Sequence, residues 1–242
     1  MTSVHPKEPV LPRALSGAVP MDTYLDGVAK AVEAQGFTPR NSLAVISACR
    51  DELCQPVLAK ITKRWGMPFN ASGLGGMPAL GPTGWGACLS NTPQGDGRRR
   101  LLVLAFPHVG VSEEGTPGMA LHADQANPRP CCGALNKVHS ALLKTPKGGT
   151  ELSEDDHEVN RLLRILGADI LEVPSDLVGM ALVAAQSIDR VIWQDLEDID
   201  ELADADVAVF TAIQIHTGSS GDYALSHAKQ IRPAGAPERS EL

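Results

Sequence analysis

Two apolar runs in this 242-residue chain each lead into a residue type that binds soft metals. Leu43-Ala44-Val45-Ile46-Ser47-Ala48 leads into Cys49-Arg50-Asp51-Glu52, and Leu101-Leu102-Val103-Leu104-Ala105-Phe106 leads into Pro107-His108-Val109-Gly110. Cys131-Cys132-Gly133-Ala134 forms a third element. Open α/β sheets bind ligands beyond their strand ends. One imidazole and two thiolates converging there make a zinc site with a fourth position open to water, the pattern of a catalytic centre. Zinc in such a site acidifies its water toward neutrality and so supplies hydroxide. Asp51 is positioned to accept a hydrogen bond from that water or to act behind the ligands. Arg50, or another arginine, would hold its carboxylate.

Taken singly, a cysteine at a strand end is a small buried hydrophobe. The shared strand-end placement of Cys49 and His108 is what raises the set to a metal site. Spacing alone does not separate Cys132 from Cys131 as the third ligand. Cys54 and Cys88 read as packing residues. His216, after the last strong strand, stands where a pocket would be lined. His5 falls in the N-terminal arm, and His122, His139, His157 and His227 carry no motif.

The elements that must position these groups alternate. Leu25, Val28, Ala29 and Val32 give a helical stripe over Met21–Gln35, stopped by Gly36. Leu53, Val57, Ile61 and Trp65 repeat every four residues, so Asp51–Trp65 reads as a helix with acidic residues in its first turn. Segment 72–86 is rich in glycine but has Pro78 where a dinucleotide fingerprint needs its last glycine, and no P-loop lysine follows. Turns, or a close backbone approach to a small pocket, fit it better. A helix is expected over Ala134–Leu143, an acidic connector over Glu151–Asp156, and further helices around Val159–Leu166 and Leu177–Val191. Val207–Ile215 is an apolar run without charge, the mark of a central strand. This alternation predicts an α/β domain with a largely parallel sheet flanked by helices. The expected organisation is an N-terminal arm over 1–20, a single domain over 21–231 and a polar C-terminal tail over 232–242.

Bulk properties narrow the function. A net charge of −8 argues against nucleic-acid and anionic-membrane partners. Arg98-Arg99-Arg100 is the one basic run, and it reads as a turn entering a strand. No stretch reaches the ~20 apolar residues of a membrane span, and the N-terminus lacks a signal-peptide pattern. Five cysteines, two of them adjacent, do not make a disulfide framework. The expectation is a cytoplasmic protein whose cysteines are free or metal-bound.

The motifs together resemble the limiting-CO2-inducible B/C protein family, which is similar to β-type carbonic anhydrases. The resemblance rests on Ser47-Ala48-Cys49-Arg50-Asp51-Glu52, Gly73-Leu74-Gly75-Gly76-Met77-Pro78 with Thr83-Gly84-Trp85-Gly86, and Phe106-Pro107-His108-Val109-Gly110. Cys132-Gly133-Ala134-Leu135 and Ile213-Gln214-Ile215-His216 with Asp222-Tyr223 complete it, in order, across roughly positions 40 to 230. It implies a β-carbonic-anhydrase-like fold, a homodimer with sites near the subunit interface, and zinc held by Cys49, His108 and Cys132. It favours Cys132 over Cys131 because the family's ligand directly precedes glycine. The implied reaction is reversible hydration of CO2 to bicarbonate by zinc-bound hydroxide, with Asp51 as the aspartate of the Cys-x-Asp element. The chain departs from ordinary β-type enzymes at Leu53, where they carry an arginine, which leaves Arg50 as the nearest partner for Asp51. Without an arginine, Asp51 itself becomes a possible fourth ligand. The alternative reading is a non-catalytic zinc-binding relative that responds to CO2 or bicarbonate or serves in assembly. A zinc hydrolase or lyase acting on a larger substrate fits less well, because the short glycine-lined segments argue for a small pocket.

Overall fold

Apolar, β-branched runs bounded by turn residues build the sheet of this computed structural model, which describes residues 9–93, 95–122, 125–144, 155–235 and 240–241. In chain order the principal elements are β1 (Val19–Pro20), α1 (Met21–Glu33), β2 (Leu43–Ala48), α2 (Gln55–Trp65), β3 (Phe69–Asn70) and α3 (Pro82–Ser90). Then come β4 (Arg99–Phe106), β5 (His108–Gly110), β6 (Met119–Ala120), β7 (Arg129–Pro130), α4 (Gly133–Lys144), α5 (His157–Asp169) and α6 (Leu177–Asp198). The chain finishes with β8 (Ala205–His216), β9 (Asp222–Arg232) and β10 (Ser240–Glu241).

The main sheet runs β1-β9-β8-β4-β2-β3, with β5 also on β8 and β10 also on β9. Strands β3, β2, β4, β8 and β5 pair in parallel, whereas β9, β1 and β10 form an antiparallel margin. The expected α/β architecture with a largely parallel, helix-flanked sheet is what the chain adopts. Every residue of β8 is buried, so both faces of the central strand are covered. Helix α6 packs on β8, β4 and β5, α1 on β9 and β8, α2 on β2 and α3 on β4. Helices α4 and α5 pack against α6 in turn.

Expected and observed elements differ in instructive places. The helix anticipated from Asp51 opens as a 3-10 turn over Glu52–Cys54 and becomes α-helical at Gln55, with Pro56 in the first turn. Pro56 has no N–H to lose there. Residues 82–90 form helix α3 despite Gly84 and Gly86, because Trp85 is wholly buried and its Nε1 donates to Asp195 Oδ2 at 2.8 Å. The close approach expected of the glycine-rich segment occurs at Gly76: its φ is 81°, and a Cβ there would lie 2.6 Å from the Phe106 carbonyl oxygen. Strand β9, the long antiparallel partner of β8, had no apolar run to announce it. Arg98 and Arg100 both pair with Asp206, and Arg100 also pairs with Asp96, so two of the run's three arginines are engaged at the entry of β4.

Within the expected N-terminal arm, Leu15 is buried and β1 pairs with Ala224 and Tyr223 of β9. Residues 1–8 of that arm, 151–154 of the acidic connector, and 236–239 and 242 of the tail lie outside the described residues. No helix among the described residues is long and apolar enough to cross a membrane.

Candidate metal centre

The parallel pairing of β2 with β4 sets the site. Ala48 is in register with Phe106, so the residues that leave the two strands, Cys49 and His108, emerge at the same edge. Ser47 Oγ donates to the Gly76 carbonyl at 2.8 Å and ties the glycine turn under this edge. The third element arrives from β7, and the Gly110 N–H donates to the Cys131 carbonyl at 3.1 Å. Cys132 then directly precedes α4, whose positive N-terminal end favours a thiolate.

Ligand-type atoms of Cys49, His108 and Cys132 all lie within 4.8 Å of one another, and all three residues are buried. The Cys49 and Cys132 sulfurs are 3.8 Å apart, too far for a disulfide. Two Zn–S bonds of about 2.3 Å at the tetrahedral angle would separate their sulfurs by about 3.8 Å. His108 Nε2 is fully buried with no hydrogen-bond partner among the described residues. An orphaned ring nitrogen beside two soft sulfurs is the donor set that zinc takes.

Electrostatics agree with one shared proton between the two thiols. A hydrogen bond from Cys132 is the largest influence on Cys49. It outweighs desolvation and, with His108 and the Asp51 backbone, brings the Cys49 thiol down to about 3. The same hydrogen bond, with burial, pushes Cys132 up, while the Leu135 N–H at the start of α4 pulls the other way. A cation between the sulfurs would hold both as thiolates. Cys54 and Cys131 are pushed up by burial first and then by neighbouring negative charge. Burial raises Cys88 to about 12 against a small opposing pull from a backbone hydrogen bond.

Asp51 caps the 3-10 turn, its Oδ1 accepting the Leu53 N–H at 3.0 Å. Arg50 does not turn back to it. Its Nη1 pairs with Glu158 Oε2 at 2.9 Å on a cleft that Arg161, Leu74 and Met77 also line. The ring facing Asp51 is that of His122, a residue that carries no motif in the sequence. Its Nδ1 lies 3.9 Å from Asp51 Oδ1 and 2.6 Å from Glu52 Oε1, with Glu52 exposed. Asp51, His122 and Cys131 thus form a second cluster beside the first. No local spacing links His122 to residues some seventy positions earlier.

His216 lies behind His108. His108 Nδ1 is 3.0 Å from His216 Nε2, and His216 Nδ1 is 2.9 Å from Asp222 Oδ1. Gln214 Nε2 donates to the other Asp222 oxygen at 2.9 Å. Burial lowers the His216 pKa against the opposing pull of Asp222. Cys131 Sγ approaches His108 Nδ1 at 3.5 Å. Thus Cys132 faces Cys49, while Cys131 lies on the far edge of the imidazole.

A family profile described as limiting CO2-inducible proteins B/C beta carbonic anhydrases matches residues 18–232. Among solved structures, the chain is similar to PtLCIB4, a homolog of the limiting CO2-inducible protein LCIB, with 26% identity and a TM-score of 0.80 over 95% of this chain and 96% of that one. It is also similar to LCIB itself, with 27% identity and a TM-score of 0.77 over 96% of both chains. No curated protein sequence matches the chain.

Proposed function

For a chain that belongs to the limiting CO2-inducible B/C family of beta carbonic anhydrases, we propose a zinc-dependent carbonic anhydrase that interconverts CO2 and bicarbonate. The observation that carries this reading is the buried Cys49–His108–Cys132 cluster, with its 3.8 Å sulfur separation and a His108 Nε2 that has no hydrogen-bond partner among the described residues. Those three residues would hold the ion, and bound zinc supplies a water acidified toward neutrality.

The chain's own residues do the rest. The Leu53 N–H holds the Asp51 carboxylate, which would accept a hydrogen bond from the reacting water. His122, with its Nδ1–H directed at exposed Glu52, would take the released proton on its other ring nitrogen and pass the Nδ1 proton toward solvent. An imidazole suits that transfer because its unperturbed pKa is near neutral. Arg50, committed to Glu158, has no part in this arrangement. The reading carries with it a homodimer and a cytoplasmic location.

One observation favours the alternative of a non-catalytic zinc-binding relative that responds to CO2 or bicarbonate or serves in assembly. Leu53 stands in the arginine position of ordinary β-type enzymes, and Arg50 pairs elsewhere. Asp51 would then be freer to ligate zinc and close the fourth position. Zinc-edge X-ray absorption on the purified protein separates the two. Two sulfur and two light-atom neighbours, one exchangeable with bromide, support the enzyme. Four neighbours that no anion displaces support the closed site.

A further inference from the structure

We infer that Asp222 and His216 are positioning residues for the candidate metal centre, fixing His108 in the tautomer whose Nε2 offers a free lone pair. The inference deepens the zinc reading and rests on it for its consequence, though not for its first test.

Gln214 and His216 lie two residues apart on β8, so their side chains share a face. His216 is the cross-strand partner of Asp222 on β9, and β5 brings His108 alongside Gln214. Sheet pairing alone therefore lines up Asp222, His216 and His108, with hydrogen-bond distances of 2.9 and 3.0 Å.

Proton counting gives the line its direction. An ionised carboxylate only accepts, so His216 carries its proton on Nδ1 toward Asp222. A neutral His216 then presents a bare Nε2, and His108 must donate from Nδ1. That leaves His108 Nε2 unprotonated, on the atom that has no partner among the described residues. The reverse order places a charge on the buried His216 ring. That charge costs free energy in a dry site. Gln214 holds the second Asp222 oxygen, which fixes the carboxylate plane. Cys131 Sγ, at 3.5 Å from Nδ1, is a weak second acceptor on the donating edge. A carboxylate or carbonyl behind a ligating histidine commonly sets its tautomer. Here a second imidazole is interposed, which passes the same polarity through one more ring.

The test is 15N-histidine NMR on metal-free wild-type protein, with His108 assigned by the signal lost in His108→Gln. We expect His108 protonated on Nδ1 and bare on Nε2. Protonation on Nε2 would overturn the inference. Zinc affinity, by chelator competition, should fall roughly 10–100-fold in His216→Phe. It should be largely kept in His216→Gln, whose amide oxygen still accepts from Nδ1 and whose NH2 still faces Asp222. Equal affinity in His216→Phe and wild type would also overturn it. A wild type that binds no zinc would sink the metal reading, while the metal-free spectrum would still decide the tautomer.

Discussion

Replacing Gly76 with alanine should destabilise the protein through two separable effects. Gly76 has φ 81°, and the left-handed region costs an L-residue about 1–2 kcal/mol. The new Cβ would also meet the Phe106 carbonyl oxygen at 2.6 Å and the Pro107 nitrogen at 2.8 Å, both backbone atoms that cannot swing aside. Overpacking of this kind costs roughly 1–3 kcal/mol, for a total of about 2–5 kcal/mol. Gly36 is the internal control, with nearly the same φ of 80° but nothing among the described residues within 4 Å of its Cβ position. Gly36→Ala should therefore show only the backbone cost. Urea denaturation reads both. With an m-value of about 3 kcal/mol/M, Gly76→Ala should lower the midpoint by roughly 1 M and Gly36→Ala by about half that or less. Because Pro107 leads directly to His108, Gly76→Ala should also weaken zinc binding, and Gly36→Ala should not. Equal midpoint shifts in the two variants would refute the reasoning that the glycine turn is packed tightly beneath the strand end.

Other perturbations test the site and the frame around it. Cys132→Ala should bind less than a tenth of the wild-type zinc by elemental analysis, whereas Cys131→Ala should keep it, and equal loss in both would undo the ligand assignment. His122→Ala should slow CO2 hydration several-fold in weak buffer and recover with added imidazole; a rate that ignores buffer would remove His122 from the proton path. Asp169 is the pH probe: desolvation raises its pKa, but hydrogen bonds from Arg190 and Ser187 win and hold it below the ordinary 3.8. Its stabilisation is thus present above pH 3.8 and fades as pH falls through the lowered value. Asp169→Asn should cost about 1 kcal/mol at pH 7 and markedly less at pH 3 by urea melts, and a pH-independent cost would contradict the pairing.

Much of the frame was legible because β2, β4 and β8 are continuous apolar runs and α1, α5 and α6 carry clear helical stripes. Strand β9 was not, because its Ser226, His227 and Lys229 face outward on the sheet margin and its pairing is decided by β8. Helix α3 stands where Gly84 and Gly86 locally suggest turns. Burial of Trp85 against α6 overrides that preference, and no local pattern reports it. At the site, Cys49 and His108 were visible because strand ends mark them. The partners that orient them lie across the chain: His122 beside Glu52, and Glu158 drawing Arg50 away from Asp51. His216 and Asp222 did leave a trace. A five-residue Gly-bearing connection at the end of an apolar strand is a hairpin spacing, and it places the two side chains opposite each other.

Stopped-flow CO2 hydration by purified, zinc-quantified protein, with Cys132→Ala alongside, tests the central claim most directly. The account predicts a rate that scales with zinc content and disappears in the variant. Full zinc occupancy with no hydration above the uncatalysed rate would contradict it.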